Sequence, residues 1–162
     1  MRTLHPLARF HRNRYNQFIL EGMGIIINME TIHTSSRRFR SALDSVRRHE
    51  FKSPRLGSND YPKGASSDAS LLLGIYLLNE HGIDCDYVAA SDGSGSSHAW
   101  LEHEGLFIDI TADQLPGMQG KVVVGEDHSV HSLFIEAGRS RISENDLSDL
   151  ADDYDIVMAG MI

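Results

Sequence analysis

The chain has 162 residues, of which 41% are hydrophobic and 23% charged, and a net charge of −8. That balance describes one globular domain able to bury a core and excludes a disordered chain. A lone cysteine, Cys85, excludes a disulfide within the chain, and no apolar run reaches the length of a membrane span.

The N-terminal third is basic. Residues 1–55 carry 11 basic and 4 acidic side chains, and the remainder carries 4 and 19. The two segments complement each other across a fold, or the first contacts an acidic partner. Residues 1–28 read as a poorly ordered extension, with Met29 as an alternative start of a folded unit over 29–162. Glu21 interrupts the apolar stretch 18–27 and no small-residue cleavage site follows, which argues against a secretory leader. With one cysteine, this points to the cytoplasm.

Residues 36–50 predict an amphipathic helix, with Phe39, Ala42, Leu43 and Val46 on one face and arginines on the other. After a polar loop, Pro62 biases Tyr61 away from helix, so 61–65 reads as extended. Ser66 and Ser67 then open an apolar run, 71–78, that closes at Gly82, a residue suited to the C′ position. Serine at a helix start is most often a cap. The same place offers free N–H groups and a helix dipole that stabilise an anion.

Residues 83–88 predict a strand in which Cys85, between Asp84 and Asp86, is structural, because those charges oppose a thiolate. A flexible loop, 92–97, leads into His98-Ala99-Trp100-Leu101-Glu102, whose alternation suits a strand, and Leu106-Phe107-Ile108 suits another. A two-residue loop at His103-Glu104 would place His98 opposite Asp109; a three-residue loop would send them to opposite faces unless a bulge restored them. An imidazole held by a buried carboxylate is the base-and-orienter half of a nucleophilic triad. Asp113 is a fallback orienter. Further strands are predicted at 121–125 and 133–135, and a last helix from Ser143 with Leu147, Leu150, Tyr154, Val157 and Met161 on one face. Among nine histidines neither H-E-x-x-H nor a cysteine pair occurs, so no metal and no cofactor is expected, and His128 and His131 are placed near the substrate groove or, in the simpler reading, at the surface.

Gly64-Ala65-Ser66 before a buried helix, Gly82-Ile83, His98-Ala99-Trp100-Leu101-Glu102, and Ile108-Asp109-Ile110-Thr111 follow one order along residues 61–111. In that order they resemble the transglutaminase-like and papain-like cysteine hydrolase superfamily. The resemblance implies an α+β fold, with a buried helix packed against a mainly antiparallel sheet. It implies Ser66 at the nucleophile position, His98 as base, Asp109 as orienter, and the position-66 N–H in an oxyanion hole. Asn59 and Tyr61, near the helix start, are candidate second donors, and Trp100 is a candidate substrate contact.

The departure is serine where cysteine is expected. A thiol gains far more than a hydroxyl from a helix N-terminus and a histidine. Ser66 is therefore an introduced replacement, a natural loss that leaves a binding pocket, or a serine nucleophile. The implied function is a thiol-type amide hydrolase or acyltransferase (peptidase, amidase, deamidase or transglutaminase) acting on a peptide or protein. The alternative is a non-catalytic peptide- or protein-binding domain. Neither membrane nor nucleic acid is an expected partner.

Overall fold

The computed structural model describes residues 10–12, 17–20 and 26–161. In chain order the elements are β1 (Phe10–Arg12), β2 (Gln17–Leu20), β3 (Ile26–Asn28), α1 (Met29–Ser45), α2 (Ser66–His81), β4 (Asp86–Ser91), β5 (Ser97–His103), β6 (Leu106–Asp109), β7 (Val123–Gly125), β8 (Ile135–Arg141) and α3 (Ala151–Ala159). The first three strands pair antiparallel in sequence order. The rest of the expected 1–28 extension lies outside the described residues. The other five strands form one antiparallel sheet in the order β7-β6-β5-β4-β8, so the fold is α+β.

Helix α2 is the centre of the core because apolar residues occupy most of its circumference. Leu72, Leu73, Ile75 and Leu77 are fully buried, each worth about 1.5–3 kcal/mol when withdrawn from water. Gly82 ends it in the left-handed region, at φ 64°. Its N–H donates to the Leu78 carbonyl at 3.0 Å and that of Ile83 to Leu77 at 3.1 Å, which satisfies carbonyls a helix end would otherwise orphan.

Helix α1 starts seven residues before the predicted position and ends at Ser45, with a separate 3-10 turn over Arg48–Glu50. The early start follows from Ile32, which continues the stripe of Phe39 and Leu43. Arg40 is buried rather than solvated. Its guanidinium donates to both Asp113 oxygens at 3.0 and 2.9 Å, to Asp44 at 2.8 Å, and to the Ile110 carbonyl. Residues 61–65 are not extended: Tyr61, Lys63 and Ala65 donate back to Ser58, Asp60 and Pro62 in successive turns, and the Tyr61–Pro62 peptide is cis. Near the C-terminus a 3-10 turn, Glu144–Leu147, carries a Ser143–Asp146 capping box, and α3 begins only at Ala151.

The β5–β6 turn is Glu104-Gly105, both at positive φ, so Leu101 pairs with Ile108 and His103 with Leu106. The register therefore slips by two from the expected one. A slip of two keeps every side chain on its face. One face, with Leu101 and Ile108, packs on α2; the other, with Val88, Ala90, Trp100 and Phe107, packs under Phe134.

At Gly74 a Cβ would sit 2.8 Å from Ile142 Cγ1 and 2.9 Å from Cδ1, and Ile142 is itself buried. Gly74→Ala is expected to lose about 1–3 kcal/mol in urea unfolding. In the Ile142→Ala background that loss should shrink, since the obstructing atoms are gone; an unchanged penalty would place the strain elsewhere.

Candidate active site

Asp109 ends β6 among apolar neighbours and is fully buried. A carboxylate there must be paired. Its Oδ1 accepts the Thr111 backbone N–H at 2.9 Å and the Thr111 hydroxyl at 3.2 Å. Oδ2 accepts from His98 Nε2 at 2.7 Å and from His131 Nε2 at 3.0 Å. Continuing the β5–β6 ladder puts Asp109 opposite Trp100 and His98 two residues farther along the same face, a diagonal pair. The expected His98–Asp109 contact is thus present, through a different register.

His131 does not lie at the surface. It is 3% exposed, and the 3-10 turn His131–Leu133 presses its ring onto Trp100, with centroids 4.7 Å apart. No local pattern marks it, because it meets Asp109 from 22 residues away along an irregular loop. Its ring lies near that of His98, 6.3 Å between centroids and 25° between planes.

Burial alone would raise the Asp109 carboxyl, but the hydrogen bonds of His131 and His98, the charge of His98 and the Thr111 N–H outweigh it and hold it at about 2. Facing an ionised oxygen, each Nε2 carries the proton it donates. Both Nδ1 atoms are buried without a partner, and in a neutral ring Nδ1 is the lone-pair acceptor. His98 therefore has an oriented ring nitrogen that no protein group occupies. The donor atoms of His98, Asp109 and His131 all lie within 4.8 Å of one another, the arrangement among the described residues that could hold a metal ion.

Position 66 meets this group only partly. The cap of α2 is Ala65, without a side-chain bond, so Ser66 is the first helical residue and not a cap. Ser66 and His98 both line a cavity of about 310 Å³, walled by Gly64, Ser67 and Ala99 among others. No hydrogen bond links Ser66 to the free Nδ1 of His98. The reason is the sheet: α2 docks on the Tyr87 and Leu101 face, through Ser67 to the Tyr87 hydroxyl at 2.9 Å and Ser70 to the Ala99 carbonyl at 3.2 Å. His98 pairs with Ala90 and belongs to the opposite face. Asp68, in the first turn, is neutralised by Arg55 at 3.0 Å and bonded by Ser53 at 2.5 Å.

The remaining predicted residues lie away from the cavity. Asn59 is exposed and Tyr61 sits beneath Arg48, whose guanidinium carbon is 4.2 Å from the ring centroid. Neither lines the cavity. Trp100 is buried beside His98 and donates to Glu102 at 3.0 Å, so it walls the histidine cluster. Asp113 serves Arg40 rather than His98. Cys85 is fully buried, and burial followed by the Asp84 charge pushes its thiol up to about 12.

No family model, no curated protein and no solved structure matches the chain.

The Asp109 carboxyl ordinarily titrates near 3.8 and here near 2. A depressed folded value makes stability rise with pH: the contribution, about 2 kcal/mol, is complete above about pH 4 and lost as pH falls toward about 2. Asp109→Asn is expected to flatten that acid limb in urea midpoints measured across the window. An unaltered limb would mean that another carboxylate produces it.

Proposed function

We propose that this chain carries a thiol-hydrolase-type site for amide or acyl chemistry, on a core of the transglutaminase-like kind. The observation that supports it is a His98 imidazole fixed by buried Asp109 through Nε2, with Nδ1 left free, in a cavity shared with the N-terminus of α2. In the reaction, a nucleophile at position 66 attacks an amide or ester carbonyl of a peptide or protein. His98 Nδ1 takes the nucleophile's proton and returns it to the leaving amine, while Asp109 steadies the imidazolium. The first N–H groups of α2 stabilise the oxyanion. Water as the second acceptor gives hydrolysis, and an amine gives transamidation.

A second reading has its own observation. Ser66 makes no bond to His98 and lies across the sheet from it. With serine there, the same cavity binds a peptide or protein segment without cleaving it.

Iodoacetamide labelling of Ser66→Cys in a Cys85→Ala background separates the two. An assembled thiolate–imidazolium pair is expected to label about tenfold faster near pH 6 than an ordinary thiol, the gain in thiolate outweighing its lower nucleophilicity. His98→Ala should abolish the advantage. Slow labelling with an ordinary thiol pH profile would leave the binding reading.

A further inference from the structure

We infer that His98, Asp109 and His131 form a binding site for a first-row transition-metal dication, with Zn²⁺ as its simplest occupant. The starting point is electrostatic. Asp109 is a fully buried anion whose ion-pair partners among the described residues are two histidines and neither lysine nor arginine. Buried charge needs a counter-charge, which here is either a proton on an imidazole or a cation held by all three groups.

The donor set is complete enough to hold that cation. Two imidazole nitrogens and one carboxylate oxygen converge from β5, β6 and the His131 turn, all three side chains being at most 3% exposed. Imidazole donors select zinc and its neighbours over calcium or magnesium. The carboxylate is already oriented as a ligand would be, since Thr111 fixes Oδ1 through two bonds and leaves Oδ2 to face the histidines. The separations of 2.7 and 3.0 Å from Asp109 Oδ2 have to open, and the histidine nitrogens, within 4.8 Å of each other, have to settle, at the roughly 3.3 Å that tetrahedral zinc bonds of about 2.05 Å require. Trp100, Phe107 and Phe134 surround the cluster with rings, a low-dielectric shell that strengthens the attraction between cation and carboxylate.

Absence of a helical H-E-x-x-H pair does not bear on such a site, because its three ligands come from separate elements. Three protein ligands leave a fourth position for a solvent or substrate atom. Binding at Nε2 moves each imidazole proton to Nδ1. A metal-loaded His98 therefore cannot accept a proton from position 66, and the site exists in two exclusive states.

The test uses the chain as it stands, freed of metal and titrated with Zn²⁺ while bound zinc is counted after equilibrium dialysis. About one zinc per chain is expected, with affinity falling by at least about 100-fold in His131→Gln and in Asp109→Asn. His128→Gln, at an exposed histidine close by, should bind as the parent does. In ¹⁵N-edited spectra of the unaltered chain, which need no variant to fold, the Nε2 signals of His98 and His131 should move on zinc addition. Uptake undiminished in the variants, or shifts confined to exposed histidines, would overturn the inference. Because the serine chain is used, its failure is distinct from failure of the acyl-transfer reading, which the cysteine labelling decides in metal-free buffer.

Discussion

One buried carboxylate sets the arrangement of the site. Asp109 accepts four hydrogen bonds from three places in the chain: its own strand end through Thr111, strand β5 through His98, and a distant 3-10 turn through His131. Each donor is itself buried, so each would be left with an orphaned polar group if the carboxylate were removed. The 3-10 turn is held there by His131 and by Phe134 directly after it, which packs on His98 and Trp100, whereas Leu133 and Ile135 are exposed to solvent. The His131 ring lies against Trp100 and Phe107 as it reaches Asp109.

The sheet separates two environments and thereby decides what the site can do. On one face α2 presses Leu72, Leu73 and Ile75 into the main core; on the other, an aromatic layer encloses His98 and its partners. Acyl chemistry needs the two to communicate. The strand ends at Ser91 and Ser97, where the β4–β5 turn opens, provide a cavity that both Ser66 and His98 line. A larger, more polarisable sulfur at position 66 shortens the gap that an oxygen leaves, whereas a metal on Nε2 closes the basic route altogether. Cavity, free Nδ1 and dication site are thus three aspects of one group of side chains, and which one dominates depends on what occupies position 66 and what surrounds the cluster.

The parts legible in the sequence were those governed by local physics. Helix α2 was readable at both ends, because Gly82 must leave the helix in the left-handed region and the apolar run admits no earlier stop. The His98–Asp109 pairing was readable in face though not in register, since alternation fixes the face while turn chemistry fixes the offset: positive φ at Glu104 and Gly105 moved the turn one residue along. Arg40 misled because helical periodicity marks a position and not its partner, and Asp113 lies 73 residues away. His131 was illegible for the same reason. A loop residue acquires its role from tertiary contact, and neither spacing nor propensity carries that information.

Arg40 and His98 show two different answers to a carboxylate. Asp113 and Asp109 stand four residues apart at the end of β6, and each is answered by a buried or nearly buried base. At Asp113 the answer is a guanidinium, which cannot give up its proton; burial opposes its charge, yet its bonds to Asp113 and Asp44 hold that charge more firmly still. That pair ties α1 to the segment that follows β6. At Asp109 the answer is two imidazoles, each able to hold a proton, release it, or bind a cation through the same nitrogen. A chain that needed only to neutralise Asp109 could have used a second arginine, whose fork would satisfy both oxygens at once. Two histidines satisfy Oδ2 with one nitrogen each and leave the other nitrogen of each ring without a partner, and that residual capacity is what proton transfer or metal binding requires.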